Sequence, residues 1–187
     1  MKQVNLENVQ EFSDSTRLPA GAYICVIRNV KDVAEKEYLK VTYDIAEGEY
    51  KGYYDSFREN HPDWEWIGSY TKSYKEKALP MFKRFCSAVS KSNSQYVFDA
   101  GAVNSDETTL IGKKVGLVLR EEEYYKNNGD VGTRLYVERE FPIAEIAKQK
   151  VPPLKEIAAK NFPHVQPAKD ANDFVAIAKG TAEEIPF

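Results

Sequence analysis

Between Tyr50 and Tyr74 the chain carries Tyr50, Tyr53, Tyr54, Phe57, Trp64, Trp66, Tyr70 and Tyr74, more aromatic rings than one strand and a loop need for packing. Cations accompany rings here and elsewhere: Tyr54 with Arg58, Lys72 with Tyr74, Tyr38 with Lys40, and Arg134 with Tyr136. Single-stranded nucleic acid asks for this mixture. Its unpaired bases are flat and apolar, so a ring that stacks on one contributes roughly 1–3 kcal/mol, while Lys and Arg neutralise the phosphates between. Neither contact reads sequence. The expected groove is lined by Tyr38, Lys40, Tyr54, Arg58, Arg134 and Tyr136, and is extended by Trp64, Trp66, Lys72 and Tyr74.

Two blander readings compete with this one. Tyr and Trp in β-rich proteins are commonly half-buried strand residues supported by their cross-strand neighbours. The basic stretch holding Lys72, Lys75, Lys77, Lys83, Arg84 and Lys91 against Glu76 alone reads equally as a solvated helix face. The formal net charge of -3 argues against a protein that coats nucleic acid with its whole surface, but a local basic face remains compatible with it.

Catalytic chemistry finds little support. Asp55, Glu59, Asp63 and Glu121–Glu123 are scattered without the spacing of a two-metal or acid–base pair. Cys25 and Cys86 lie far apart in apolar stretches, as buried free thiols do, and His61 and His164 are equally solitary. Gly129 and Gly132 sit inside a hairpin rather than in a phosphate-cradling loop. No catalytic residue, metal site or cofactor is therefore expected. The first sixteen residues lack the apolar core of a signal peptide, and no run of about 20 apolar residues could cross a bilayer, so a cytoplasmic protein is expected, with no membrane partner.

The elements that would position the groove follow from periodicity. LPAGAYICVIRNV turns at Pro19–Gly21 and runs as a strand through Val30. EYLKVTYDI alternates Leu39, Val41, Tyr43 and Ile45 against Tyr38, Lys40, Thr42 and Asp44. YKGYYDSFRE reads as a third strand, with Tyr53, Asp55 and Phe57 on one face and Tyr54, Ser56 and Arg58 on the other. HPDWEWIGSY, broken by Pro62 and Gly68, reads as a loop. Leu79, Phe82, Phe85, Cys86 and Val89 recur at helical spacing, and Pro80 suits a first turn. KKVGLVLREEEYYKNNGDVGTRLYVEREF is a long hairpin turning at Asn127–Gly129. Three strands, a helix and two strands is the element order of a five-stranded OB barrel, a mainly β fold with its helix between strands 3 and 4. The expected organisation is an N-terminal arm over 1–17, the barrel over 18–150, and a proline-interrupted tail over 151–187, with room for short helices at Leu154–Lys160 and Asn172–Lys179.

The chain ends in AEEIPF. That ending resembles the acidic C-terminal tip of bacterial and phage single-stranded DNA-binding proteins, a run of aspartates followed by Ile-Pro-Phe. The resemblance implies a docking peptide for replication, recombination and repair proteins: Phe187 fills an apolar pocket, its α-carboxylate meets a basic residue, Ile185 and Pro186 pack beside it, and Glu183 and Glu184 face cations. The tip departs from the pattern in having two acids, both Glu, with Ala182 before them. LPAGAYICVIRNV, EYLKVTYDIAEGEYKGYY, GKKVGLVLR and NGDVGTRLYVEREF together resemble, over roughly residues 18 to 153, a family of phage-encoded OB-type single-stranded DNA-binding proteins of Gram-positive phages and integrated elements. This likeness implies binding of single-stranded DNA with little sequence preference beside phage recombinases, and no enzymatic activity. OB proteins of this kind occur as monomers, dimers and tetramers, so a homo-oligomer is compatible with it. Two other classes fit the same aromatics: a β-barrel adaptor that holds a protein partner and never touches nucleic acid, and a barrel that stacks on sugar rings.

Overall fold

A computed structural model describes residues 17–63, 66–101, 105–126 and 128–157. All of these residues except Ile157 belong to one compact unit ending at Glu156. Five strands form there: β1 (Gly21–Val33), β2 (Tyr38–Ile45), β3 (Ser69–Ser73), β4 (Lys114–Tyr125) and β5 (Val131–Phe141). Among the described residues three α-helices accompany them: α1 (Tyr53–Asn60), α2 (Leu79–Ser92) and α3 (Ile143–Ile146). The strands make one antiparallel sheet in the order β3-β2-β1-β4-β5.

β1 joins the two halves of this sheet, pairing with β4 over Gly21–Val26 and with β2 over Cys25–Val33. The outermost strands, β3 and β5, share no backbone ladder among the described residues. The expected element order is present, and the α2 helix does lie between β3 and β4. Closure is not: the sheet keeps two open edges where a closed barrel would have none.

Alternation carries through where it was clean. Leu39, Val41, Tyr43 and Ile45 of β2 are all buried, while Lys40 is exposed and Tyr38 and Thr42 are half-buried; Asp44, expected on the same outer face, is instead buried, held by the hydrogen bonds described below. Phe82, Phe85, Cys86 and Val89 of α2 face the core with Val115, Leu117 and Leu119 of β4, while Leu79 of the same stripe stays exposed. Each such buried apolar side chain stabilises the fold by roughly 1.5–3 kcal/mol relative to exposure. Cys25 and Cys86 are both buried free thiols.

The segment expected as the third strand is a helix. Gly52, at φ +73°, turns the chain into α1 from the left-handed region that a β-carbon disfavours. The buried Asp44 carboxylate then accepts hydrogen bonds from Tyr54 N at 2.9 Å and Asp55 N at 3.3 Å, N–H groups of the first turn that have no partner within the helix. Arg28, the extra residue at a bulge in β1, forms ion pairs with Asp44 and Asp55. Burial raises the Asp44 pKa, although the hydrogen bonds from Tyr54 and Ile45 and the charge of Arg28 pull it down. The third strand is instead Ser69–Ser73, which begins inside the stretch expected to be a loop.

The expected hairpin is β4–β5, with a bulge between Val118 and Leu119. After it comes α3, which the sequence did not announce; Ile146 packs there against Gly116, where a Cβ would meet the Ile146 side chain at 3.0 Å. From Leu154 to Ile157 the chain is not helical. Lys155 instead makes one parallel bridge to β4, donating to Glu121 O and accepting from Glu123 N.

Candidate functional site

Because β3 and β5 do not pair, a cleft opens between them, with a volume of about 640 Å³. One wall is Ile67, Ser69, Tyr70, Thr71 and Lys72; the other is Arg134, Leu135, Tyr136, Val137 and Glu138. Tyr43, Tyr53 and Tyr54 line it too, as do Lys40, Met81, Arg17 and Leu18. Four cations and one acid therefore face this space.

Each cation has a different degree of freedom. Arg17 is tied to β5 by donating to Thr133 Oγ1 and Thr133 O, both at 2.7 Å. Arg134 donates through Nε and Nη2 to Glu122 Oε1 and lies 5.5 Å from the centre of the Tyr124 ring. It is nonetheless exposed, as is Lys40, which forms no ion pair among the described residues. Lys72 is the opposite case: 8% exposed, its ammonium lies 2.5 Å from Glu140 Oε1. A strand position on an open edge proved to be an inward one, so Lys72 is withdrawn from solvent phosphate.

The aromatics divide in the same way. Tyr136 is 45% exposed at the cleft, and the guanidinium of Arg120, directly across the β4–β5 ladder, lies 5.2 Å from the centre of its ring. Tyr53 is half-buried, edge to face with Tyr54 at 5.1 Å. Tyr54 is only 6% exposed and sits among Tyr43, Tyr53 and Trp66, with its hydroxyl 3.4 Å from that of Tyr43. As a core residue of a helix, Tyr54 offers no free ring face, and the strand-face grouping of Tyr54 with Ser56 and Arg58 does not apply. Burial pushes the Tyr54 phenol up to about 12.

The other expected contacts scatter. Arg58 is exposed on α1 but does not line the cleft. Trp66 is half-buried; its indole N–H is shared between Tyr43 O at 3.0 Å and Gly68 O at 3.1 Å, which needs the close approach that Gly68 permits. Tyr74 donates its hydroxyl to Asp32 at 2.8 Å, packs on Phe82, and lines a different cavity with Phe98. Tyr38 is half-buried on β2 outside the cleft lining. Trp64 and the tip residues Glu183, Glu184, Ile185, Pro186 and Phe187 lie outside the described residues.

The structure thus gathers Lys40, Tyr54, Lys72, Arg134 and Tyr136 around one cleft and leaves Tyr38, Arg58, Trp66 and Tyr74 away from it. It adds Arg17, Tyr53, Ile67, Tyr70 and Met81, which the sequence reading did not place in the groove. Only the fold reveals Ile67 and Met81: each is apolar yet more than half exposed, at 52% and 56%, which residue type alone does not signal. Among the described residues no group of three or more His, Cys, Asp and Glu side chains could hold a metal, and no helix is long and apolar enough to cross a membrane. No protein-family model matches the chain, and no curated protein matches it.

Proposed function

We propose that the protein binds single-stranded DNA along the cleft between β3 and β5, largely without sequence preference, and that the sheet is the frame of an OB-type barrel. The observation that carries this reading is the cleft itself. It has the cations Arg17, Lys40 and Arg134 at its surface, one acid, and exposed Tyr136, Ile67 and Met81 beside them. Phosphates meet the cations while bases lie against the apolar and aromatic groups. The OB reading is supported by connectivity: β1 pairs with both β2 and β4, and α2 falls between β3 and β4. In this reading the protein is a binding protein rather than an enzyme, serves phage or mobile-element replication and recombination in the host cytoplasm, and recruits partner proteins through Glu183–Phe187.

A second reading has its own observation. Ile67 and Met81 are exposed apolar side chains at the cleft, which suits a protein adaptor whose apolar contacts ignore salt. A salt titration of oligo-dT binding separates the two. Three accessible cations predict a slope of log affinity against log salt of about −2, at about −0.7 per phosphate neutralised on a single strand. A slope near zero, or no binding at low salt, sinks the DNA reading and leaves the adaptor.

A further inference from the structure

β3 and β5 are the two open edges of the sheet, and Lys72–Glu140 is the one ion pair that joins them among the described residues. Without a backbone ladder, no periodic hydrogen bonds fix the distance between these strands. Lys72 closes the β3 stretch that walls the cleft, and Glu140 stands just beyond the β5 stretch. Both side chains are buried, and Arg84 of α2 lies 3.8 Å from Glu140 Oε2, an oxygen that accepts no hydrogen bond. A buried ion pair is seldom more stabilising than an apolar pair of similar volume, because both charges must be stripped of water. What it supplies is a fixed spacing.

We infer that the Lys72–Glu140 pair is a clasp that sets the width of the cleft, holding it to the breadth of one nucleic-acid strand and so excluding a duplex. The selectivity half of this inference rests on the single-strand reading above. Lys72→Met combined with Glu140→Gln removes both charges without stranding either one. Spin labels at Thr71→Cys and Arg139→Cys, both exposed positions on the facing strands, report the gap, and buried Cys25 and Cys86 stay unlabelled.

The clasp predicts a narrow distance distribution in the parent protein and a longer, broader one in the Met/Gln variant, with the parent distance restored by the reversed pair Lys72→Glu with Glu140→Lys. An unchanged distribution in the folded Met/Gln variant overturns it, whatever happens with DNA. So does a reversed pair that stays wide, should the Met/Gln variant fail to fold. The preference for oligo-dT over the matching duplex is expected to fall by at least about tenfold in the Met/Gln variant. A widened cleft that keeps the parent preference overturns the selectivity role. Parent protein that binds no oligo-dT overturns the single-strand reading alone, because the spin-label distances decide the clasp without any ligand.

Discussion

The two ends of the cleft carry the same kinds of side chain and use them for opposite purposes. At the Lys72 end a cation is buried against Glu140, with Arg84 behind it. At the Arg134 end the cations stay exposed, and Tyr136 keeps nearly half its surface in water. A buried, paired lysine holds the protein together and is poorly placed to meet a phosphate. An exposed one contributes almost nothing to folding and is available to a ligand. Residue type alone does not distinguish the two; the pleat and the partner do.

The comparison can be broken most forcefully at the closed end. Lys72→Ala leaves Glu140 charged and buried with only Arg84 nearby, so a loss of about 3–5 kcal/mol is expected in denaturant unfolding. A loss under about 1 kcal/mol would show that the pair is no tighter than a surface bridge. Asp44→Ala removes the carboxylate that receives the first N–H groups of α1 and the charge facing Arg28. A cap of this kind is worth about 1–2 kcal/mol, and the α1 amides should lose hydrogen-exchange protection before those of β4.

Lys40 is exposed on β2 opposite Thr71, beside the buried Lys72, and Lys40→Ala is expected to change stability by less than about 0.5 kcal/mol. It should lower the salt slope of oligo-dT binding by about 0.7, one phosphate's share. Unchanged slope with unchanged affinity would remove Lys40 from the binding surface. The smallest effect concerns the core shared by both ends. Burial pushes the Cys86 thiol up to about 11 and raises Cys25 further. At pH 8 only about one Cys86 in a thousand is thiolate, so at that pH both cysteines should react only slowly with a thiol reagent in the native protein. Reactivity of Cys86 should rise about tenfold per pH unit until it nears that pKa.

How much of this was legible in the sequence follows from where each element finds its partners. The β4–β5 hairpin and the α2 helix were readable because their signals are local: alternation, a turn at Gly129, a 3.6-residue stripe and Pro80 in the first turn. The segment 53–60 was misread because its helix is fixed by Asp44, a residue on another strand, and eight residues rich in Tyr and Phe satisfy a strand pattern equally well. The site was half legible for the same reason. Lys40, Arg134 and Tyr136 stand on strands that the alternation itself marked out. Tyr54 moved inward when its strand became a helix, and Lys72 moved inward because β3 begins at Ser69.

The central claim is that one strand of nucleic acid lies between β3 and β5, and its most direct test is fluorescence anisotropy of a labelled oligo-dT with the full-length protein at low salt, set against the matching duplex. The account predicts tight binding of the single strand, weak binding of the duplex, and a clear loss when Tyr136 is replaced by alanine. Equal binding of both forms, or single-strand binding indifferent to Lys40→Ala, Arg134→Ala and Tyr136→Ala alike, would contradict it.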